Sequence, residues 1–250
     1  MKKVVASLLF IGLFITGCIV SNAPVTGRTQ LILINADQEK TLGLSEADSI
    51  LKNATVSSDK VLTNKIVNIG NRIVAASDDA KQYKWDFYLL EDKSVNAFAL
   101  PGGKVFFYTG ILQFMESDDE IAAVMGHEIA HVLAHHGAER MSQQMLSDAG
   151  AQILSSALKI PTEYQSLYST AYGIASNVGV ILPFSRKHES EADTIGIYLM
   201  YKAGFNPNDA VKFWQKMADT SKNSTPEFLS THPSDERRIK DISAYIKTLK

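Results

Sequence analysis

The sequence predicts an α+β fold that is mainly helical and carries a small antiparallel sheet. Residues 36–52 and 59–76 are predicted to be helices, and the second has apolar residues at the spacing of one helix face. Next along the chain, KWDFYLLED alternates as a strand does, and SVNAFALPGGKVFFYTG predicts two strands joined by a turn at residues 101–103. A chain of 250 residues with 45% hydrophobic content can bury one substantial core, so one large domain is expected.

Charge and cysteine content narrow the classes of function. The formal net charge is −2 and the basic residues are scattered, which gives no reason to expect a nucleic-acid partner or an electrostatic membrane footprint. The chain has 1 cysteine, so its domain is expected to be stabilised by its core, and by a metal where one is bound, without intrachain disulfides.

The first residues have the pattern of an export signal. Lys2 and Lys3 precede an apolar run at residues 4–15, which is too short for a membrane-spanning helix, and small residues then lead to Cys18. The stretch ITGC resembles a bacterial lipobox. That resemblance implies a signal peptide at residues 1–17 and a lipid on Cys18, which anchors the protein and takes no part in catalysis. The alternative is an ordinary cleaved signal peptide with an unrelated cysteine.

The residues after Cys18 bear on location and domain boundaries. Ile19 stands where lipoproteins retained in the inner membrane usually carry aspartate, so the resemblance favours the periplasmic face of the outer membrane. Residues 18–35 mix proline, glycine and a short apolar run, which predicts a lipid-anchored tether. The main domain is expected over residues 36–250.

The stretch GHEIAHVLAHHGAER is predicted to lie on a helix. Ser117 and Glu120 fit a capping box that starts this helix near residue 118, and apolar residues continue at helical spacing through the stretch. His127 and His131 are four residues apart, so they project from one face and can direct imidazole nitrogens at one ion about 2.0–2.1 Å away. The alternative is a solvated helix face that happens to be rich in histidine.

Glu128 has a different role from its neighbours. It is turned about 100° from His127 around the helix axis, so it can reach a water at the ion more easily than it can serve as a ligand. This is the HExxH arrangement, in which a metal lowers the pKa of water towards about 7 and the glutamate takes its proton. His135 continues the ligand face and is a candidate further ligand, whereas His136 is predicted to be turned away.

A catalytic metal needs a third protein ligand from elsewhere in the chain. The segment PFSRKHESEADTIGIYLMYKAG predicts a second helix that begins after Pro183 and ends at Gly204. Spacing alone does not choose among its candidate ligands, and a charged run can equally be a solvated face. The candidates are His188, Glu189, Glu191 and Asp193.

Three motifs together are specific for one family: HEIAH, SRKHESEAD and STHPSDERR. With the lead-in NAFALPGGKVFFYTGIL, they resemble the zinc metallopeptidases that include the CAAX prenyl proteases, HtpX and the mitochondrial Oma-type proteases, over nearly all of residues 36–249. The lack of long apolar runs after the signal makes the chain similar to the periplasmic lipoprotein branch, with LoiP and BepA. The resemblance implies a zincin-type metalloprotease domain in which the edge strand of the sheet lines the active-site cleft.

The resemblance also implies roles for individual residues. One Zn²⁺ is expected to be held by His127, His131 and Glu189, with Glu128 as the general base. Asp193, the aspartate of the family's ExxxD motif, is expected to orient a ligand histidine through its other ring N–H.

The remaining polar residues of these motifs have weaker assignments. His188 and Glu191 have no counterpart in the family motif and are expected to be surface or packing residues. The resemblance places STHPSDERR beside the active site. We hypothesise that His232 donates to the transition-state oxyanion, or occupies the fourth position of the zinc when no substrate is bound, with Arg237 as a structural or electrostatic partner. The alternative is that His232 only caps a helix.

The uncharged segment NAFAL is predicted to be an edge strand that binds substrate. An edge strand of this kind is prone to aggregation unless the protein uses or covers it. It can pair with an extended peptide, which then adds to the sheet as another strand; the alternative is an edge covered by the protein's own loop. The predicted substrate-binding residues are Asn96, Ala97, Phe98 and Ala99.

These expectations combine into an envelope endopeptidase that hydrolyses misfolded or membrane-associated proteins without a covalent intermediate. It would act in protein quality control, and the outer-membrane protein assembly machinery is a candidate partner. Two alternatives are a chaperone or assembly factor for outer-membrane proteins with little proteolysis, and a zinc lipoprotein that is not a peptidase. The complete HExxH argues against the first, and Glu128, which a purely structural site would not need, argues against the second.

Overall fold

The computed structural model describes residues 20–157, 185–221, 226–233 and 236–249, with side chains from residue 21 to residue 146 in the first range. The predicted signal peptide and Cys18 lie outside these residues. The described strands are β1 (Val20–Asn22), β2 (Thr29–Leu31), β3 (Asp86–Leu90), β4 (Ala97–Leu100) and β5 (Lys104–Tyr108). The described helices are α1 (Ala36–Asn53), α2 (Lys60–Ala75), α3 (Asp78–Lys81), α4 (Thr109–Leu112), α5 (Asp118–Leu133), α6 (His136–Ala157), α7 (Arg186–Lys202), α8 (Asn208–Ser221), α9 (Glu227–Thr231) and α10 (Glu236–Ile246).

The predicted α+β fold, mainly helical, is confirmed, and local capping explains where its first helices begin. Asn35 and Gln38 form a reciprocal capping box at the start of α1. The Asp59 side chain accepts from two backbone N–H groups at the start of α2. Ile66 and Ile73 lie on the buried face of α2, which packs against β3 as the apolar spacing predicts.

The three-stranded sheet is mixed, so the prediction of an antiparallel sheet is wrong for one pair. The strand order is β3-β5-β4, with β4 antiparallel and β3 parallel to β5. The loop after β3 carries the chain to the far edge, and the turn at residues 101–103 brings it back between β3 and β4. Since β3 and β4 run in opposite directions, the strand between them must be parallel to one of them. β4 lies at an edge, as predicted.

Part of the predicted tether is folded against the domain. β1 and β2 form an antiparallel hairpin. Gln30 is buried, and the backbone N–H of Leu33 donates to Oγ of Ser142 on α6 at 2.8 Å. Part of the predicted tether thus forms a hairpin, in which Thr26 and Arg28 bond to side chains of α6 and α7.

α5 runs through the main hydrophobic core. Every residue from Glu120 to Leu133 is buried. The core that surrounds it includes residues of α2, β3, β5, α7 and α8. Within the described ranges, no helix combines the length and apolar character needed to cross a membrane.

Candidate metal centre

Two glycines let α5 and α7 cross with their backbones in contact. A Cβ built on Gly126 would lie 2.7 Å from the carbonyl oxygen of Gly196, and one built on Gly196 would lie 2.7 Å from the backbone nitrogen of His127. No larger residue fits at either position unless the helices separate, because the atoms already touch. The crossing therefore brings the HEIAH face of α5 against the ESEAD face of α7.

Four buried side chains converge at this crossing, and their candidate ligand atoms all lie within 4.8 Å of one another: His127, His131, Glu189 and His232. Nε2 of His127 lies 3.0 Å from Nε2 of His131 and 3.2 Å from Nδ1 of His232. Oε1 of Glu189 lies 3.1 Å from the same Nδ1. Two ligand atoms of a tetrahedral zinc, each about 2.1 Å from the ion, are about 3.4 Å apart. Three imidazoles and a carboxylate at these spacings fit one zinc ion.

The structure brings together the three predicted ligands and adds His232 to them. The backbone N–H of His232 donates to the carbonyl of Phe228 at 2.8 Å, so this residue also ends α9. Its side chain is 1% exposed and directs Nδ1 at His127 and Glu189. This orientation fits a fourth position around the metal, a role that capping alone would not require.

Asp193 and Arg238 contact the Nδ1 side of the His127 ring, opposite the nitrogen that faces the other candidate ligands. Nδ1 of His127 lies 3.1 Å from Oδ1 of Asp193. Arg238 donates to the two carboxylate oxygens of Asp193 at 2.6 and 2.8 Å, and it lies 2.8 Å from Oε2 of Glu189. Its guanidinium carbon lies 3.6 Å from the ring centre of Trp214. These contacts fix the direction in which the His127 ring points.

The prediction of Arg237 as the basic residue of the site is wrong. Its side chain is 87% exposed and lies 3.6 Å from Asp241. Neighbouring residues differ by about 100° around a helix, so only one of the two arginines can face inward. Ile242 is buried four residues after Arg238, and that apolar position is the sequence signal for the correct arginine.

The Glu128 carboxylate lies beside the metal-binding group. The side chain is 1% exposed, and its Oε1 has no hydrogen-bond partner among the described residues. Oε1 lies 3.6 Å from Nε2 of His232, and the backbone N–H of Ala99 lies near the carboxylate. Burial raises the pKa of Glu128, against the opposing effect of the nearby histidines. A buried carboxylate oxygen without a partner is well placed to accept a proton there.

β4 presents alternate backbone groups to its outer edge, where no described strand pairs with it. The N–H of Tyr108 on β5 donates to the carbonyl of Asn96 at 3.1 Å. Hydrogen-bonded and non-hydrogen-bonded pairs alternate in an antiparallel ladder, so Asn96 and Phe98 bond to β5. The backbone groups of Ala97 and Ala99 then face outward. The position of the Ala99 N–H near the buried carboxylate agrees with that direction.

The helix with HEIAH ends before His135, whereas the sequence predicts that it continues. α5 ends at Leu133, and His135 has φ +53, a left-handed conformation that is uncommon outside glycine. Its Nδ1 lies 2.7 Å from Oε2 of Glu39 on α1, outside the metal-binding group. His136 has Nδ1 2.9 Å from Nδ1 of His131. The predictions that His135 follows the ligand face and that His136 turns away are both wrong, because the left-handed conformation of His135 interrupts the helix between them.

Substitutions of His135 can separate two contributions to stability: the strain of its left-handed backbone and the ion pair with Glu39. The hydrogen bond with Glu39 raises the pKa of His135, so the pair stabilises the fold fully below the unfolded-state pKa of about 6.5 and less as pH rises through the folded-state pKa. We expect His135→Ala to lower the free energy of unfolding most at low pH. His135→Gly relieves the left-handed strain and should be about 1 kcal/mol more stable than the alanine variant.

Urea unfolding from about pH 5 to about pH 9 measures both effects. A difference between the native protein and His135→Ala that does not change with pH would contradict the ion pair. An alanine variant as stable as the glycine variant would contradict the strain.

His188 and Glu191 belong to a buried polar network, so the packing alternative holds for both and the surface alternative does not. They are 2% and 6% exposed. Nε2 of His188 lies 3.1 Å from Glu139, and Nε2 of His136 lies 3.1 Å from Glu191. Burial acts to raise the pKa of Glu191, but hydrogen bonds from His136 and from the β1–β2 hairpin outweigh it and lower this pKa to about 2. Glu191 is therefore ionised at neutral pH.

Comparisons with known proteins agree with this geometry. A sequence model of peptidase family M48 matches residues 61–246. The mitochondrial metalloendopeptidase OMA1 of Schizosaccharomyces pombe is 33% identical over 228 residues, which cover 89% of this chain and 65% of that protein. The beta-barrel assembly-enhancing protease of Escherichia coli K12 is 30% identical over 225 residues, covering 87% and 46%. The putative beta-barrel assembly-enhancing protease of Vibrio cholerae is 34% identical over 223 residues, also covering 87% and 46%. The chain thus spans less than two thirds of OMA1 and about half of the other two, and the family resemblance drawn from its motifs is confirmed.

Proposed function

This chain belongs to peptidase family M48, and on that premise we propose that it is a zinc-dependent endopeptidase. The observation that carries the proposal is the convergence of His127, His131 and Glu189 beside the buried carboxylate of Glu128. The backbone of Ala99 on β4 lies near the same carboxylate, so the candidate base lies between the metal-binding group and the outer edge of the sheet. A metallopeptidase that binds its substrate as an added strand needs its base and its metal site next to such an edge.

Each residue of the proposed site has a separate role in peptide hydrolysis. A zinc ion held by the three predicted ligands would supply a Lewis acid that polarises a peptide carbonyl and lowers the pKa of water. An extended substrate pairs with the outward backbone groups of Ala97 and Ala99, which holds its peptide bond beside Glu128. Glu128 takes the proton of the attacking water and passes it to the leaving amine. His232 would serve as a fourth ligand of that ion while no substrate is bound.

Metal removal tests this proposal. We expect chelation to abolish casein cleavage and added zinc to restore it, because no residue of the proposed site supplies a nucleophile of its own. Glu189→Ala is expected to weaken zinc binding by more than about 100-fold, the upper range for partners that do not touch a metal. The control is Glu46→Ala on the exposed face of α1, which should change neither property. Casein cleavage by the zinc-free protein, or native zinc affinity in Glu189→Ala, would contradict the proposal.

We further propose a location and a class of substrate. The lipobox-like ITGC motif at Cys18 supports a lipid anchor in the bacterial envelope. Two relatives carry names that refer to beta-barrel assembly, which supports the outer membrane and its protein assembly machinery as the setting, although the OMA1 relative is mitochondrial. Misfolded or membrane-associated proteins are the proposed substrates. The presence of both a candidate base, Glu128, and a complete group of metal-binding residues favours proteolysis over a chaperone function alone.

Cys18→Ala is expected to remove the lipid. Because the proposed lipid is carried by the thiol, cells fed a palmitate analogue should label the native protein and leave the variant unlabelled. Ser21→Ala is a matched control close to the same site and should retain the label. A native protein that takes up no label would refute the anchor.

A further inference from the structure

Buried hydrogen bonds extend from the side of His131 that faces away from the metal-binding group. Its Nδ1 lies 2.9 Å from Nδ1 of His136, and Nε2 of His136 lies 3.1 Å from Oε2 of Glu191. His136 is 0% exposed and Glu191 is 6% exposed, so water competes little for these bonds. These three residues, together with Thr26 and Arg28, are named the His131 network.

Metal binding at His131 fixes the direction of the hydrogen bonds. Its Nε2 must be unprotonated to bind a metal, so its ring proton is on Nδ1 and donates to His136. Nδ1 of His136 accepts this bond, so the proton of that ring is on Nε2 and donates to Glu191. Both rings are then neutral and the acceptor is an ionised carboxylate. The position of that carboxylate therefore determines how the His131 ring is oriented.

The β1–β2 hairpin holds the Glu191 carboxylate. The hydroxyl of Thr26 donates to its Oε1, and Nε of Arg28 donates to its Oε2. The terminal nitrogens of Arg28 donate to the two oxygens of Glu139 on α6 at 2.9 and 2.6 Å. Arg28 thus joins the hairpin, α6 and α7 at one point.

The turn of the hairpin is strained, and these contacts flank the strained residue. Val25 has φ +64, a left-handed conformation that a β-branched residue rarely adopts. Strained backbone persists where the surrounding contacts determine its position. Here the flanking contacts are the bonds of Thr26 and Arg28 to Glu191.

The other histidine of the HExxH motif is supported in a similar way. His127 contacts Asp193 directly, and Asp193 is held by Arg238. His131 reaches an acidic residue of α7 through one intervening imidazole, and that residue is held by Arg28. One supporting arginine comes from the N-terminal hairpin and the other from the C-terminal helix α10.

We propose that Thr26 and Arg28 are positioning residues for the metal ligand His131, acting through Glu191 and His136. The inference rests on the proposed function, because it requires His131 to bind the metal. Loss of the hairpin contacts lets the Glu191 carboxylate turn, and the His131 ring loses its fixed direction. Metal binding is then weakened although every ligand is present.

Zinc affinity measured by chelator competition on the full-length protein tests the proposal. Arg28→Met should weaken zinc binding by about 10–100-fold, and Thr26→Val should weaken it less, because it removes one neutral hydrogen bond. The absorption spectrum of the cobalt-substituted protein should shift in both variants, since it responds to ligand geometry. The exposed Arg237→Met is the matched control and should bind zinc and cobalt as the native protein does.

A double-variant cycle tests whether the effect passes through His136. In a His136→Ala background, Thr26→Val should cause no further loss of zinc affinity, because the path is already cut. Additive losses, or native affinity and an unchanged cobalt spectrum in both single variants, would overturn the proposal. If thermal unfolding of the metal-free protein shows that Arg28→Met does not fold, Thr26→Val decides the outcome. Equal zinc affinity of the native protein and His131→Ala would instead refute the proposed function, since His131 would not be a ligand.

Discussion

Glu128→Gln is expected to bind zinc like the native protein and to cleave casein about 10²–10⁴-fold more slowly, the range that general acid–base catalysis contributes. Glutamine has almost the same shape as glutamate, so the local structure should persist. It cannot take a proton from water at the position of Oε1, which has no hydrogen-bond partner among the described residues. Zinc content and initial cleavage rates, measured on the same preparation, separate the two effects.

Asp118→Asn provides the control for loss of one negative charge on the same helix. Asp118 is exposed at the start of α5 and pairs with Lys65, remote from the metal-binding group. Its substitution should leave the cleavage rate unchanged, since a surface pair contributes little to stability. Cleavage by Glu128→Gln at the native rate would exclude Glu128 as the general base, and loss of zinc from that variant would point to a structural role.

His127, Glu128 and His131 could be predicted from local sequence rules because all three lie on one helix. The four-residue spacing of His127 and His131 fixes a shared face on any helix, and Ser117 caps the helix start as predicted, because its side chain accepts from the Glu120 N–H. The predicted return bond from Glu120 to Ser117 is wrong, since the Glu120 side chain accepts from the Glu116 N–H instead. Glu189 was different, since spacing on α7 left four candidates and only the family motif chose among them. The contact between Gly126 and Gly196 allows α7 to lie against α5. Two isolated glycines in a sequence do not predict which helices cross.

Long-range contacts explain what the sequence did not reveal. A histidine in a left-handed conformation ends α5 at a point where apolar spacing continues, and its Glu39 partner is on another helix. The folded hairpin likewise depends on Arg28 and the distant carboxylates of Glu139 and Glu191. Periodicity reports which face of an element is apolar. It carries no information about a polar partner that is distant in the sequence.

Arg238→Met is expected to lower the free energy of unfolding of the metal-free protein by about 3–5 kcal/mol, the cost of leaving buried charges without their partner. Burial would raise the pKa values of Asp193 and Glu189, and the charge of Arg238 helps to hold both below their usual range. Arg238→Lys should be intermediate, because an ammonium cannot donate to both oxygens of Asp193 and stack on Trp214 in the same way. Urea unfolding measures the series, with Arg237→Met expected within about 0.5 kcal/mol of the native protein.

Combining Arg238→Met with Asp193→Asn distinguishes the charge of the arginine from its shape. If the cost comes from unpaired carboxylates, removal of the charge on Asp193 should recover part of the stability, and the double variant should be less destabilised than the sum of the single variants. Glu189 still lacks its arginine in that variant, so the recovery is expected to be partial. Strictly additive losses would mean that Arg238 stabilises the site mainly through its packing on Trp214.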